Sequence, residues 1–376
     1  MSTYYRVQVG AFVLKRNAEK LAAKIIEQFG IRTVIVEENM LYKVQAGSFA
    51  SKINALNRAA LLDKAGYKTI VSMHVVEDSV PVDDKKTDKE PHRVRVWAIN
   101  FMDEDESQYG DATVIIEYGA DDKSIQHVIL IDTAMASSTT VKKLKKAGVT
   151  TIDAVVISHA HGDHYGGLTN VFKNFKVKAL YLPDCKQLDK HQKSYGNAIR
   201  NQEKKAKKYG ATCTYLKAGS SFTVGSVVCE CVYQLPASAV SEHDSHHFVN
   251  NESIVTRFTI NGDWIYHTAG DLQNAGNNAL IRAVKDLKAD IFKCQWHGDA
   301  NACNEAICKA VKPLVAFSNY HHKEMAGRGR TRKRLEKVGA LVMRNHEDGD
   351  IYIDCIENKM VVTCSKNTKF RKEFNR

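Results

Sequence analysis

The sequence lacks the features that mark membrane-spanning and secreted proteins. Its 376 residues contain no run of about 18 apolar residues, so no transmembrane helix is predicted. Residues 1–10 contain no apolar core of a secretory signal peptide. The chain as encoded is therefore expected to be cytoplasmic.

Cysteine and proline usage excludes two further classes. The nine cysteines form no C-x-x-C pair, and their odd number argues against a disulfide framework as well as a zinc ribbon. They fit a reducing compartment. Only five prolines occur, and Pro81 and Pro91 lie in a charged stretch without aromatics, so residues 77–91 are predicted to be a linker.

The N-terminal part contains a repeat. The segment YRVQVGAF at residues 5–12 is matched by YKVQAGSF at residues 42–49. Each copy alternates apolar and polar residues and is followed by a helical pattern and a further apolar strand. Two such units in succession predict the order β-α-β-β-α-β of a ferredoxin-like fold.

The doubled Y-[RK]-V-Q-x-G-x-F motif with its alanine-rich helix resembles the SPOR domain over residues 3–74, and we place that domain at residues 1–76. The resemblance implies binding of peptidoglycan glycan strands on the polar face of the sheet. That face would carry Arg6, Gln8, Lys43 and Gln45. An unrelated ferredoxin-like regulatory domain is the alternative.

Residues 92–357 have a different pattern, in which apolar strands end in polar loops and alternate with helices. This pattern predicts a layered α/β domain with functional residues on the loops at strand ends. The remaining residues 358–376 are rich in lysine and arginine. They are predicted to form a basic C-terminal tail.

The segment HAHGDH at residues 159–164 places four potential metal ligands within six residues at the end of an apolar strand. Neutral imidazoles and a carboxylate suit zinc or another borderline divalent ion. The small Ala160 and Gly162 allow the loop to fold back, so that the flanking side chains converge. A solvated histidine-rich turn is the alternative.

This H-x-H-x-D-H motif resembles the metallo-β-lactamase family, whose fold is an αβ/βα sandwich with metals at one edge. The resemblance implies a set of metal ligands: His159, His161, Asp163, His164, Asp271 and His297. Asp271, in HTAGD, would bridge two ions. Asp132, in LIDT, would orient the metal loop from behind the ligands.

One subfamily resembles the sequence further, over about residues 93–355. The segments GDAT, SHAHGDHYGGL, NNESIVTRFTINGDWIYHTAGD and ADIFKCQWHGD are similar to the hydrolase domain of bacterial DNA-uptake (ComEC-type) proteins. Related stand-alone enzymes include wall-associated phosphodiesterases. Two departures are IDTA in place of the usual DTG, and Trp296 where a second histidine often stands.

The resemblance implies two divalent cofactor ions, with zinc expected and manganese as the alternative. His159, His161 and Asp271 would hold one ion, and Asp163, His164, Asp271 and His297 the other. Such a pair activates a water molecule and stabilises charge on the attacked group. This chemistry suits phosphodiesters, and it also serves esters and lactams.

Other histidines are candidates with open alternatives. His321 and His322 follow a strand end and are predicted, with Asp163, to be catalytic: one would contact the substrate or protonate a leaving group. A plain surface pair is the alternative. A histidine of EHDSHHF, at positions 243, 246 or 247, would join the metal site unless that segment is only a polar loop.

The net charge of +11 favours anionic partners. Basic residues between Arg328 and Arg334 would line a groove for a phosphate backbone, unless they form an ordinary solvated helix. The expected partners are peptidoglycan glycan strands, through residues 1–76, and a polyanionic phosphodiester, either DNA or another polymer.

The predicted function is a dinuclear metal-dependent hydrolase, a phosphodiesterase or nuclease, joined to a wall-glycan-binding module. One alternative is a wall-anchored hydrolase of a wall phosphodiester or another wall bond. Another is a non-enzymatic wall-binding protein with a degenerate site. Contact with the wall would require cell lysis or non-classical export.

Overall fold

The structure is a computed structural model that describes residues 2–29, 31, 33–38, 40–49, 52–76, 93–101, 110–184, 186, 188, 192–234, 245–319 and 328–376. The chain divides into two compact units, Met1–Asp88 and Lys89–Arg376. The predicted linker at residues 77–91 lies outside the described residues. Among the residues described, no helix combines the length and apolar character needed to cross a membrane.

The smaller unit is a four-stranded antiparallel sheet with two helices. Its elements are β1 (Ser2–Phe12), α1 (Lys15–Phe29), β2 (Val34–Glu38), β3 (Leu41–Phe49), α2 (Lys52–Lys64) and β4 (Ile70–Val76). The strands lie in the order β2-β3-β1-β4, with every neighbouring pair antiparallel. The predicted ferredoxin-like fold is confirmed.

Apolar and polar residues alternate along the repeated strands β1 and β3, and this alternation decides which face of the sheet is buried. Val7 of β1 and Val44 of β3 are fully buried and pack against both helices, together with Ile25 and Leu62. The other face carries the four residues predicted to bind glycan: Arg6, Gln8, Lys43 and Gln45, all of them half-buried. Gln8 and Gln45 lie opposite each other in the β1–β3 pairing.

The larger unit contains two facing sheets. The nine-stranded sheet has the order β10-β9-β8-β7-β6-β5-β18-β19-β20, and the seven-stranded sheet has the order β11-β12-β13-β14-β15-β16-β17. The strands are β5 (Arg93–Ala98), β6 (Thr113–Tyr118), β7 (Ile125–Ile131), β8 (Thr151–Val156), β9 (Lys176–Pro183), β10 (Thr212–Leu216), β11 (Ser221–Val224), β12 (Val227–Tyr233), β13 (Val255–Ile260), β14 (Trp264–Thr268), β15 (Ile291–Lys293), β16 (Val315–Ser318), β17 (Leu341–Arg344), β18 (Ile351–Ile356), β19 (Lys359–Cys364) and β20 (Arg371–Asn375).

Helices cover the outer face of each sheet. They are α3 (Thr140–Lys146), α4 (Gly162–Tyr165), α5 (Leu168–Asn174), α6 (Lys193–Lys208), α7 (Ser245–Asn251), α8 (Asn274–Ala283), α9 (Glu305–Val311), α10 (Arg328–Lys337) and α11 (Asn345–Asp348). In β7, Val128 and Leu130 pack toward helices, whereas Ile129 and Ile131 pack between the sheets. The result is the predicted αβ/βα sandwich, which is confirmed.

The C-terminal residues differ from the predicted basic tail at 358–376. They form β19 and β20, which extend the nine-stranded sheet beyond β18. The final residue, Arg376, lies over the ring of Trp264 at 4.6 Å and forms an ion pair with Asp290. Alternate apolar residues such as Met360 and Val362 are buried between the sheets, so this basic segment belongs to the folded domain.

Candidate metal centre

The predicted metal-site residues follow the carboxyl ends of parallel strands. β7 leads into Asp132 and its parallel neighbour β8 into His159–His164. In the facing sheet, β14 leads into Asp271 and its parallel neighbour β15 into His297. Because parallel strands end at the same edge, polar side chains from four loops meet there, as is usual for α/β proteins.

Four donor atoms form the centre of the site. The Nε2 atom of His297 lies 3.1 Å from Oδ2 of Asp163 and 3.3 Å from Oδ2 of Asp271. The Nε2 atom of His164 lies 3.3 Å from the same Asp271 oxygen and 3.6 Å from the same Asp163 oxygen. These are the four residues predicted to hold one ion.

The spacing of these atoms fits a divalent ion. Zinc bound tetrahedrally at its usual bond lengths separates its ligand atoms by about 3.4 Å, close to the observed 3.1–3.6 Å. The Nε2 atom of His164 is buried and has no hydrogen-bond partner in the part of the chain that the structure describes. The residues present therefore fit a metal ion at this position.

The other two predicted ligands lie beside this cluster. Nε2 of His159 and Nδ1 of His161 are 2.9 Å apart, and the rings of His159 and His164 have centroids separated by 4.1 Å. Burial, assisted by the neighbouring His164, lowers the pKa of His159 well below its ordinary value. His159 is therefore neutral, which is the form that binds a metal.

The pKa values of His164 and His297, the two histidines beside the carboxylates, are shifted in the opposite direction. Burial alone would lower the pKa of His164 and of His297, but the carboxylate of Asp271, with other aspartates, raises both pKa values well above the ordinary value. A metal ion would compete with protons for these nitrogen atoms.

Asp132 contacts the loop of residues 159–164, which we call the metal loop because the sequence predicts that it binds metal. Its carboxylate accepts hydrogen bonds from the backbone N–H (2.7 Å) and the hydroxyl (2.8 Å) of Ser158, and it lies 2.9 Å from Nδ1 of His164. This contact leaves Nε2 of His164 directed toward Asp163 and Asp271. Asp132 also has a positive φ of 56°, a conformation that costs energy and is concentrated at functional sites.

Sequence reasoning missed two buried charged residues at this site. Asp111, in the quoted GDAT segment, lies 3.2 Å from His297 through Oδ1 and Nδ1 and forms an ion pair with Lys293. Lys293 is 2% exposed; its ammonium donates to the carbonyl of Gly270 at 3.0 Å and lies 3.6 Å from Asp271. The sequence does contain a signal for Lys293, because a lysine within an apolar strand such as β15 needs a buried partner of opposite charge.

The loop that carries His297 is strained and internally braced. Trp296 and His297 have φ values of 45° and 50°, a left-handed conformation rare for such residues. The amides of Gln295 and Asn277 pair reciprocally at 2.8 and 3.0 Å, and the backbone N–H of Trp296 donates to Gly270 at 3.2 Å. These contacts hold the loop against the end of β14.

Several predicted residues fall outside this description. His321, His322 and His243 lie outside the described residues. His246 and His247 lie in α7, where the structure describes the backbone only. Asp163, predicted to be catalytic as well as a ligand, is half-buried at the centre of the site.

The basic segment near Arg328 forms helix α10, and two of its arginines form ion pairs or hydrogen bonds with other residues of the chain. Arg332 pairs with Glu336 at 2.9 Å and with Glu347 at 3.3 Å. Arg334 donates to the carbonyls of Ala300 and Cys303 at 2.7 and 2.9 Å. These contacts weaken the predicted role of the helix in gripping a phosphate backbone.

Comparisons with known proteins match each unit separately. Residues 2–72 match the SPOR domain, and residues 123–205 match the metallo-beta-lactamase superfamily. ComE operon protein 3 of Bacillus subtilis (strain 168) is 23% identical over 215 residues, which are 55% of this chain and 25% of that protein. The chain thus spans about a quarter of the length of this relative.

Two solved structures illustrate the similarity. The peptidoglycan binding domain of the Bacillus subtilis cell wall lytic enzyme CwlC is 40% identical; the match covers 20% of this chain and 94% of that chain, with a TM-score of 0.19. CmlA, a diiron beta-hydroxylase from Streptomyces venezuelae, is 10% identical, and the match covers 70% of this chain and 54% of that chain, with a TM-score of 0.47.

The matches agree with the architecture of each unit. The four-stranded unit coincides with the SPOR match, and the metal loop lies within the second match. Residues 2–72 therefore belong to the SPOR domain family, and the larger unit has the metallo-β-lactamase fold, with residues 123–205 matching that superfamily.

Proposed function

We propose that this protein is a dinuclear metal-dependent phosphodiesterase that its SPOR domain delivers to bacterial wall glycan. The observation that carries the reaction class is the convergence of Nε2 of His164 and His297 on oxygens of Asp163 and Asp271 at 3.1–3.6 Å. The second proposed ion belongs to His159 and His161, with Asp271 between the two.

Charge favours two ions and an anionic substrate. Four carboxylates (Asp111, Asp132, Asp163 and Asp271) and the Lys293 ammonium leave a charge of −3 when the histidines are neutral. Two divalent ions bring this to +1, which attracts a phosphodiester more strongly than a neutral lactam or ester. When bound, such ions activate water and stabilise the charge that develops on the attacked group.

Delivery to the wall is inferred from the smaller unit. Its outward sheet face presents Arg6, Gln8, Lys43 and Gln45, and the 40% identical CwlC domain is described as peptidoglycan binding. Localisation at the wall, after lysis or non-classical export, belongs to this proposal.

A nuclease of the DNA-uptake (ComEC-type) subfamily is the second candidate. The similarity to ComE operon protein 3 supports it. Arg332 and Arg334 are already bound to other residues of the chain, which leaves α10 less positive charge to bind the phosphate backbone of DNA. We therefore rank a wall phosphodiester above DNA as the substrate.

The reaction class is tested with bis(p-nitrophenyl) phosphate and added Zn²⁺ or Mn²⁺. We expect turnover by the wild type and none by His161→Ala. His127→Ala is the matched control, because His127 lies 3.5 Å from Asp153 at the opposite end of the parallel strands and should leave turnover unchanged. Metal-loaded protein that never cleaves the diester would refute the proposal.

The substrate class is tested by adding isolated sacculi carrying wall phosphodiester polymer, and separately a soluble oligonucleotide. We expect the full-length protein to pellet with sacculi and to release polymer. Combined alanine substitution of Arg6, Gln8, Lys43 and Gln45 should abolish pelleting and slow polymer release, with small-diester turnover unchanged. Efficient oligonucleotide cleavage without polymer release would instead favour the nuclease.

A further inference from the structure

We propose that Asp111 is a positioning residue that fixes the ring of His297 for metal binding. This inference rests on the proposed metal centre. It assigns a role to the GDAT segment, which the resemblance left without one. In this role Asp111 contacts His297 as Asp132 contacts His164.

The two histidines are held in the same way. In each ring, Nε2 faces the oxygens of Asp163 and Asp271, while Nδ1 faces a buried carboxylate: Asp132 at 2.9 Å for His164, and Asp111 at 3.2 Å for His297. The carbonyl of Asn319, also 3.2 Å from Nδ1 of His297, completes this side of the ring. A carboxylate on the far nitrogen fixes both the tautomer and the orientation of a metal-binding imidazole.

Asp111 is not placed as a ligand of the same ion. Its ligand atoms lie within 4.8 Å of those of His164, Asp271 and His297, but its oxygens face the Nδ1 atoms, 3.2 Å from His297 and 3.7 Å from His164. An ion bound by the Nε2 atoms lies on the opposite side of both rings. The Lys293 ammonium pairs with Asp111 and neutralises it in this buried position.

The backbone of the same turn holds the metal loop. The N–H of Asp111 donates to the carbonyl of Asp163 at 3.0 Å, and the carbonyl of Asp111 accepts from the N–H of Ala134 at 2.8 Å. One residue therefore contacts the loop after β8 through its backbone and the loop after β15 through its side chain. Asp111 thereby sets the distance between ligands contributed by the two sheets.

The test measures metal binding rather than activity. Zn²⁺ affinity by chelator competition and the visible absorption of the Co²⁺ form would be compared for the full-length wild type, Asp111→Asn and Asp132→Asn. We expect both variants to bind Zn²⁺ about 10- to 100-fold more weakly, with an altered Co²⁺ spectrum. Asp153→Asn is the matched control, because Asp153 also lies beside a histidine, His127, outside the site.

Wild-type affinity and an unchanged Co²⁺ spectrum in Asp111→Asn would overturn the inference. If the wild type binds no Zn²⁺, the proposed metal centre itself fails, which is a separate outcome. Should Asp111→Asn fold poorly because Lys293 loses its partner, the double variant Asp111→Asn/Lys293→Met removes both charges. Loss of Lys293 alone favours cation binding, so the double variant is compared with Lys293→Met. Weaker Zn²⁺ binding by the double variant than by Lys293→Met supports the inference, and equal binding refutes it.

Discussion

At the residue scale, the proposed metal centre contains a buried lysine, Lys293, among its carboxylates. Burial alone would lower the pKa of Lys293, but the carboxylates of Asp111 and Asp271 outweigh burial and raise it. The ammonium is therefore charged, and it offsets part of the repulsion between these carboxylates. A buried charge of this kind is costly to leave without its partner.

We predict that Lys293→Met destabilises the metal-free protein by about 3–5 kcal/mol, because Asp111 and Asp271 lose their buried counter-charge. The measurement is urea unfolding followed by tryptophan fluorescence, and Zn²⁺ should recover part of the loss by neutralising Asp271. Lys309→Met is the control, since Lys309 is in an exposed pair with Glu305 at 2.8 Å and should cost less than about 1 kcal/mol. Equal losses in the two variants would contradict the prediction.

Glu252 is a second unusual residue, and it gives a pH prediction. It is 1% exposed, and among the described residues neither of its carboxyl oxygens has a hydrogen-bond partner. Burial, together with Asp184, raises its pKa to about 8. An unfolded glutamate has a pKa of about 4.3. Between these values the folded protein binds more protons than the unfolded chain, so this residue makes stability fall as pH rises from about 4 to about 8.

We therefore expect Glu252→Gln to have wild-type stability near pH 4.5 and to exceed the wild type by a few kcal/mol at pH 8, since each pKa unit corresponds to about 1.4 kcal/mol. Urea unfolding at pH 5, 6.5 and 8 measures the difference. Glu203→Gln serves as a control of opposite sign, because the hydrogen bond from Lys207 lowers the pKa of Glu203. Parallel pH profiles for Glu252→Gln and the wild type would refute the prediction.

At the scale of elements, the turn before β6 depends on a glycine. Gly110 has a φ of +113°, and a Cβ atom there would lie 2.2 Å from the carbonyl oxygen of Asp163. Only glycine allows the turn and the metal loop to approach this closely. The contact explains why a segment so far from HAHGDH in sequence shapes the same site.

We predict that Gly110→Ala displaces the metal loop and lowers Zn²⁺ affinity at least about tenfold, in the range of other changes around metal ligands. Gly148→Ala is the matched control. Its φ of +86° imposes similar backbone strain, but no atom of the described residues lies within 4 Å of the added Cβ. Chelator competition on both variants measures the effect, and a comparable loss in Gly148→Ala would attribute it to general destabilisation.

At the scale of the whole molecule, the proposed metal centre joins two sheets. His159–His164 extend from β8 of the nine-stranded sheet, whereas Asp271 and His297 extend from β14 and β15 of the seven-stranded sheet. An ion bound by both sets connects the layers at one edge. A ligand that binds only the folded state adds stability that grows with the logarithm of 1 + [ligand]/Kd.

We predict that removing metal with a chelator lowers the unfolding temperature of the larger unit by several degrees, since free ion at 100 times Kd contributes about 2.7 kcal/mol. Trp97, Trp264 and Trp296, the three tryptophans of the chain, all lie in that unit, so their fluorescence follows its unfolding. Asp271→Ala should unfold at one temperature with or without chelator. A chelator effect that persists in Asp271→Ala would place the stabilising ion elsewhere.

The sequence by itself determined the features that depend on neighbours along the chain. The repeat at residues 5–12 and 42–49 specified the ferredoxin-like unit, because strand alternation and helix periodicity are local patterns. The HAHGDH segment predicted a metal-binding loop for the same reason, since its small residues and candidate ligands lie within six residues of each other.

Only the tertiary structure decided the features that depend on distant partners. Asp111 and His297 are 186 positions apart, and no local pattern marks a contact across two sheets. The basic segment after residue 357 has the composition of a tail, yet its apolar positions pair with β18 and pack between the sheets. Lys293 was missed because the carboxylates that stabilise a charge in an apolar strand come from other loops, and only folding places them beside it.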